Sequence, residues 1–409
     1  MSDRFRPLRR ALGELRGRTL RVVLGCLICQ MGLGLTYVSR PLAPFVIEEL
    51  GLSRTAFSSA SVPQLLAQSL LSPAVGYLAV RLGASRVLAF GAAWFTLTFV
   101  LFARIESLMG LYIAIAGIGV GAACMGDVAV GHVVSRWTSR SRGLALGIAF
   151  AGSNLGGLLV AQLFIHLASH SGWRTALLAI AVVALVVLLP AALLLIREPP
   201  ADLIFEPASE GDEVSEDLES LDLPAALRTR SFWILSAVLF AFFFYFQGIL
   251  DHLVLFLIDS GMSRVDATFY FSQAVGLGIV SKLAGGFLAD RISHLSLLRI
   301  DSGLIAVSSV ILLFMPDPAL LWVFVFAYGL AAPARDIVYP LMLAHCFGVR
   351  YLGKLYGAMM LALPGGALGA IFAASIYDRM GHYDWAFATF VVLNGLAFVA
   401  LFFIRNERA

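Results

Sequence analysis

Long stretches without Asp, Glu, Lys or Arg decide what this chain can fold into. Arg21 and Arg40 bracket 18 such residues, Arg54 and Arg81 bracket 26, Arg142 and Arg174 bracket 31, and Arg174 and Arg197 bracket 22. A helix needs about 20 apolar residues to cross a hydrocarbon core ~30 Å thick. Backbone N–H and C=O groups find no partners in lipid, so each run must satisfy its own hydrogen bonds as a helix. Twelve spans are expected, near 20–39, 56–80, 86–104, 108–133, 143–168, 174–196, 231–258, 266–290, 297–315, 319–343, 353–376 and 384–404. Composition agrees: 60% of the 409 residues are hydrophobic and 13% charged, against roughly 25% charged in soluble domains. That balance excludes an ordinary soluble enzyme. A net charge of +3 gives no reason to expect a nucleic-acid partner.

The expected fold is an all-α membrane protein, with twelve transmembrane helices in two pseudo-symmetric six-helix bundles, residues 1–196 and 231–409. Between them, residues 197–230 carry Pro199, Pro200, Pro207 and Pro224 and ten acids from Glu198 to Asp222. This composition predicts a disordered linker with one short helix around Leu221 to Arg228. At 34 residues (230 − 197 + 1) it is too short for a catalytic domain, and the chain shows no nucleophile elbow, P-loop or zinc motif. Placing both termini on one face puts 21 of the 29 basic residues there, and the positive-inside rule makes that face cytoplasmic. The basic start, Arg4 to Arg18, precedes an apolar run longer than a signal-peptide core, so it reads as leading into a retained first helix. The expected setting is a multi-pass protein of the plasma (inner) membrane, working as a monomer within the bilayer.

The two halves repeat. Gly51-Leu52-Ser53-Arg54 matches Gly261-Met262-Ser263-Arg264 at a shift of 210 residues, and the same shift carries Gly76, Leu78, Ala79 and Arg81 onto Gly286, Leu288, Ala289 and Arg291. It also carries Gly143, Gly147 and Gly156 onto Gly353, Gly357 and Gly366. Parallel six-helix repeats describe a transporter that rocks about a site near the membrane midplane.

Ionisable side chains inside spans cost at least ~2.5 to 3.5 kcal/mol at the bilayer centre and mark partners or watery cavities. Asp127 falls on the fourth span, Asp251 and His252 on the seventh, Lys282 on the eighth, and Arg335 and Asp336 on the tenth. Lys282 stands out in a chain with 27 Arg and two Lys. Lys282 and Arg335 each lie 16 residues into spans running inward (282 − 266 and 335 − 319), a shared depth of about 24 Å at 1.5 Å per residue, which puts Asp336 beside Lys282. The trio reads either as a structural ion pair or as a cation held for an anionic substrate. Proton coupling needs a group that titrates as the cavity alternates between aqueous faces. Asp251 is the first choice, with Asp127, Asp336 and His252 as the other candidates. Asp127 is equally placed to close the cytoplasmic face, and His252 points about 100° away from Asp251 on a helix. Cys26 and Cys29 are expected to pack rather than form a redox pair. His166 and His170 lack a third ligand for a metal. No cofactor is expected beyond the proton as coupling ion.

Gly286-Phe287-Leu288-Ala289-Asp290-Arg291, and its first-half copy Gly76-Tyr77-Leu78-Ala79-Val80-Arg81-Leu82-Gly83, resemble the loop after the second helix of the major facilitator superfamily. That resemblance implies a cytoplasmic conformational latch of Asp290, Arg291, Arg81 and Arg142, with Val80 standing where the first copy's acid belongs. Gly152-Ser153-Asn154-Leu155-Gly156-Gly157 lacks the proline found there in the superfamily's drug/proton antiporters. Within the superfamily, Trp137 to Gly152 and Tyr37-Val38-Ser39-Arg40-Pro41 resemble the monocarboxylate transporter family and its bacterial relatives. There a translocation-path lysine falls at Arg40, and the arginine that binds the carboxylate falls at Lys282. The chain departs from that family at Leu20 to Gly25, which lacks its acid-Gly-Gly-aromatic signature, and at Gly278, where the family has an acid. The resemblance implies proton-coupled symport of a small organic monocarboxylate such as lactate or pyruvate. Substrate-binding residues would be Lys282, Arg40, Arg335, Tyr37 and Asn154. The alternative is a facilitator that exports or carries another small organic solute. The related oxalate/formate exchangers carry a lysine inside the eleventh helix, and Met360-Leu361-Ala362-Leu363 holds no cation there, so the resemblance makes a dicarboxylate exchanger less expected.

Overall fold

The computed structural model describes residues 15–138, 141–197, 220–289, 291–315, 317–331, 335–348, 350–360 and 363–407. Every regular element among them is a helix. Among the described residues, ten helices are long and apolar enough to cross a membrane; the tenth expected span is described over Pro318–Ala331 and Arg335–Phe347, and the eleventh over Leu352–Met359 and Pro364–Met380. The described residues divide into two compact units. One holds the residues up to Leu52 and those from Ala60 to the linker; the other holds Ser53–Ser59 and the residues after the linker.

In the first unit, α1 (Gly17–Gly34) turns through a 3-10 stretch, Leu35–Val38, into α2 (Ser39–Leu50). The sequence predicts that the first span ends at Arg40, but the helix continues to Leu50. Arg40 is absorbed because its guanidinium donates to the Thr36 carbonyl at 2.7 Å and to Ser39 Oγ at 2.8 Å. The helix stops at Gly51, whose φ of 60° suits a residue without a side chain. Then follow α3 (Arg54–Ser58), which belongs to the second unit, α4 (Ser61–Leu82), α5 (Ala84–Phe102) and α6 (Leu108–Met125). Gly126 breaks the fourth span before α7 (Asp127–Trp137). The unit closes with α8 (Arg142–Ser171), α9 (Trp173–Val183) and, after a π turn at Ala184–Leu188, α10 (Leu189–Leu194).

The linker's expected helix is present as α11 (Leu223–Ala226), capped by the Asp222 carboxylate on Ala225 N–H. The second unit then runs through α12 (Arg230–Asp259), α13 (Arg264–Ala289), α14 (His294–Ile311), α15 (Pro318–Ala331) and α16 (Arg335–Phe347). It ends with α17 (Leu352–Met359), α18 (Pro364–Met380) and α19 (Asp384–Ala400). Pro364 opens its helix, where the missing N–H breaks no hydrogen bond.

Both units use glycine to bring helices together. In the first, α1 packs along α8, and a Cβ on Gly34 would stand 2.5 Å from Gly157 N and Ser153 O. In the second, α12 packs along α18, and a Cβ on Gly369 would stand 1.9 Å from the Phe244 carbonyl. Gly156 and Gly366, equivalent under the 210-residue shift, lie on α8 and α18. The repeat seen in sequence is thus a repeated close contact, as small residues allow in membranes, where dispersion and packing drive helix association.

Gly34→Ala is expected to lower thermal stability in detergent by about 1 to 3 kcal/mol through overpacking. Gly143→Ala, at a helical position with nothing within 4 Å, should be neutral or stabilising by up to ~1 kcal/mol from helix propensity. Scanning fluorimetry of the two variants beside the wild type checks the opposite signs.

Candidate functional site

The deepest charges of the second unit converge where α13, α15 and α16 meet. α13 and α15 approach closely because residue 329 is glycine: a Cβ there would stand 2.6 Å from the Ala274 carbonyl and 2.9 Å from Leu277. Ser281 Oγ donates to the Leu330 carbonyl across the same contact. This brings Lys282, next along α13, to the first turn of α16. Lys282 is only 7% exposed, and its Nζ lies 3.5 Å from Asp336 Oδ2. The Arg335 guanidinium donates to Asp336 Oδ1 and lies 5.3 Å and 4.8 Å from the ring centres of Phe242 and Phe243.

One carboxylate therefore serves two cations. Its contact with Lys282 exceeds the usual 2.7 to 3.2 Å of an N–H···O bond, so that partnership is an ion pair rather than a tight hydrogen bond. The three residues sum to one positive charge. Chemically, the arrangement suits attraction of an anion by a buried ammonium and guanidinium in a site of low dielectric.

Asp301 on α14 belongs to the same neighbourhood but is absent from the charges that the sequence singles out. It lies early in an apolar run that begins beside Arg299, so spacing makes it resemble a helix-end charge. In the structure it is 5% exposed and interacts electrostatically with Arg335 and Asp336. It shares a small cavity with Phe242, Ser302, Tyr339 and Asn394. Its presence inside the ninth span, as that span's one acid, is the signal that could have found it.

The other expected residues fall elsewhere. In the first unit Arg40 is buried and stands 5.8 Å from the Tyr37 ring centre. Asn154 is buried too, accepting from Ser153 Oγ at 3.4 Å. Asp127 opens α7, is exposed, and accepts from Gln30 Nε2 at 2.5 Å. In the second unit, Asp251 is half-buried and accepts from Gln247 Nε2 at 3.1 and 3.2 Å. His252, one residue on, makes separate contacts: Nε2 with Ser58 Oγ at 3.2 Å and the Ala370 carbonyl at 2.9 Å, and Nδ1 with Tyr383 Oη at 2.9 Å. These contacts tie His252 into the packing around α3.

Of the expected latch, Asp290 and the side chain of Arg142 lie outside the described residues. Arg81 donates to Tyr77 Oη at 2.8 Å, and Arg291 sits 3.2 Å from the Phe287 ring centre. Tyr77 and Phe287 are related by the same 210-residue shift, so both copies set the arginine against an aromatic ring four residues earlier.

Sequence spacing also passes over a charge cluster at the opposite end of the second unit. Arg54 pairs with Asp259 at 2.7 Å, donates to Tyr383 Oη at 2.5 Å and stacks 3.6 Å from the Tyr377 ring centre. Asp378 accepts the backbone N–H groups of Arg54 and Thr55, at 3.1 and 2.8 Å, capping α3. Burial pushes the Tyr383 phenol well up, against the downward pull of Arg54, so it stays neutral at physiological pH. No cluster of three or more potential metal ligands occurs among the described residues. The His166 and His170 ring centres lie 4.9 Å apart, tilted by 44°.

Residues 22–363 match the Major Facilitator Superfamily. The chain belongs to the Major Facilitator Superfamily. The transporter is 29% identical to monocarboxylate transporter 13 of Bos taurus over 63% of its own length and 58% of that protein's, and 28% identical to monocarboxylate transporter 11 of Mus musculus over 82% and 76%. It is 24% identical to the oxalate:formate antiporter of Oxalobacter formigenes over 96% and 92%. Its fold resembles the crystal structure of a bacterial homologue of the human lysosomal transporter Spinster, in an inward-facing, unoccupied conformation, with a TM-score of 0.66, 17% identity and 95% coverage of each chain. The protein is a multi-pass transporter, not an enzyme.

Asp336→Asn is expected to destabilise the transporter by about 3 kcal/mol, because it leaves Lys282 and Arg335 without their shared counter-charge. Asp127→Asn, at an exposed position, should cost under about 1 kcal/mol. Thermal unfolding of the two variants in one detergent checks the ranking.

Proposed function

We propose that this transporter carries a small organic monocarboxylate, of the lactate or pyruvate kind, together with a proton by alternating access. The observation that carries the reading is the buried pair of cations, Lys282 and Arg335, sharing the single carboxylate of Asp336. A substrate carboxylate completes their neutralisation. Relatives named for monocarboxylates and for oxalate and formate support a carboxylate as cargo. Lys282 holds the anion and Arg335 assists it, and Arg40, Tyr37 and Asn154 are the substrate-binding residues proposed within the first unit. A membrane carboxylate carries the proton, with Asp251 the acid expected from sequence.

Symport is favoured on charge grounds. A carboxylate travelling with H⁺ is electroneutral and escapes the ~2.3 kcal/mol that each charge meets per 100 mV. The protein is proposed to act as a monomer in the plasma membrane with both termini cytoplasmic, as its Lys and Arg distribution supports. Lysine meets a carboxylate as a point charge, whereas arginine grips it through two parallel hydrogen bonds. Lys282 therefore suits a site that tolerates several small acids over one that selects a single geometry.

Purified protein in liposomes is expected to take up labelled lactate or pyruvate faster when the external face is acidified. Lys282→Ala should abolish that uptake, and Lys282→Arg should retain it with a narrower substrate range. Uptake indifferent to the pH gradient, or wild-type uptake by Lys282→Ala, would overturn the proposal.

A further inference from the structure

The acids expected to carry the proton are all occupied. Asp336 is held between Lys282 and Arg335, Asp251 accepts twice from Gln247, and Asp127 accepts from Gln30. Asp301 differs. It is 5% exposed, yet its Oδ1 has no hydrogen-bond partner among the described residues. Asn394, 3% exposed and lining the same cavity, has an Nδ2 in the same condition. Buried polar groups are hydrogen-bonded in the great majority of cases, and an ionised carboxylate is the group least able to go without partners. A carboxyl group in this position therefore takes up a proton at lower cost than any acid already engaged, and its ionised form depends on the cations of the neighbouring cluster.

The groups around Asp301 give that change a consequence. α16 brings Arg335 and Asp336 close enough to interact with it, and Tyr339, one turn further along, lines its cavity. The Tyr339 hydroxyl is committed to the Leu235 carbonyl at 3.1 Å. α13 contributes Lys282 through its ion pair with Asp336. α12 and α19 face the cavity with Val238, Phe242, Asn394 and Ala397, none of them charged, and α15 carries no charged residue. Arg299, on α14 itself, donates to the Leu401 carbonyl at 3.3 Å. The local ledger is thus two cations, Lys282 and Arg335, against two carboxylates, Asp336 and Asp301.

We propose that Asp301 is the proton-binding site of the transport cycle: ionised, it completes the neutrality of the Lys282, Arg335 and Asp336 cluster, and protonated, it leaves one positive charge there for the substrate carboxylate. The step adds one proton to a carboxylate oxygen, forming an O–H bond and removing one negative charge; release on the opposite face reverses it. The Asn394 amide and the Ser302 hydroxyl make the cavity polar enough to hold a water through which that proton passes. This inference rests on the proton-coupled carriage of an anion proposed above, and it assigns the coupling to Asp301 in place of Asp251.

Two measurements test it. The first is a pH titration of infrared difference spectra on the full-length protein in lipid, without substrate, following the C=O stretch of a protonated carboxylic acid. The wild type and Asp251→Asn should show this band and Asp301→Asn should lose it, while Asp301→Glu restores it at a shifted frequency. A band unchanged in Asp301→Asn, or no titrating band in the wild type, overturns the assignment. The second compares pyruvate uptake by the wild type and Asp301→Asn in liposomes. In the variant, an imposed pH gradient should no longer stimulate uptake, and pyruvate counterflow should become independent of pH; gradient-driven accumulation at the wild-type level overturns the proposal. If the wild type carries neither pyruvate nor lactate, the substrate reading falls, and the infrared titration still decides Asp301.

Discussion

Hydrocarbon solvates no charge, and the second unit is arranged around that fact. Lys282 and Arg335 would each be costly alone at their depth, and neither is alone, because α16 begins with an acid that both reach. The packing that produces this is ordinary: a glycine on α15 lets α13 come close, and the close approach sets the lysine beside the first turn of α16. Removing any one of these parts leaves a charge in a medium that cannot accommodate it. The cations are held by helix geometry, and the helix geometry is held by small residues.

The fourth span bears on the same constraint. A continuous helix satisfies its own backbone groups, whereas a helix that starts inside the membrane exposes N–H groups that need anionic or polar company. That span is interrupted at Gly126, and Asp127 occupies the first turn of α7. In transporters built of repeats, helices interrupted near the midplane are where substrates and ions are handled. The equivalent span of the second unit carries Arg335 and Asp336, and there the carboxylate meets the ammonium of Lys282 and the guanidinium.

Much of this was open to sequence reading because lipid simplifies the problem. Uncharged runs of 18 to 31 residues admit one secondary structure, and a constant shift of 210 exposes the repeat. The depth argument that puts Asp336 beside Lys282 works for the same reason: both helices cross one slab, so counting residues counts ångströms. Where that ruler fails, the reading fails. Arg40 resembles a span boundary, yet its guanidinium folds back on the Thr36 carbonyl and the helix continues to Leu50. Asp301 resembles a helix-end charge because Arg299 precedes it by two residues, but the two side chains leave α14 in different directions, and direction is invisible to spacing. The cluster around Arg54 was hidden differently. It joins residues more than 200 positions apart in sequence, and periodicity within one helix carries no information about such a meeting.

The charge ledger of the second unit also bears on how the empty carrier returns. With Asp301 ionised and no substrate bound, Lys282, Arg335, Asp336 and Asp301 sum to zero. With Asp301 protonated and a carboxylate bound, the same four residues and their cargo again sum to zero. Both forms that must reorient therefore move no net charge from this cluster through the membrane field, which otherwise opposes or drives each charge by ~2.3 kcal/mol per 100 mV. The two mixed forms, proton without anion and anion without proton, carry a net charge of one sign or the other and meet both that field and the desolvation cost of unbalanced charge. Under the proposed symport, coupling needs no separate device: the neutral forms would cross more readily than the charged ones, and proton and anion would travel together because each corrects the imbalance that the other creates.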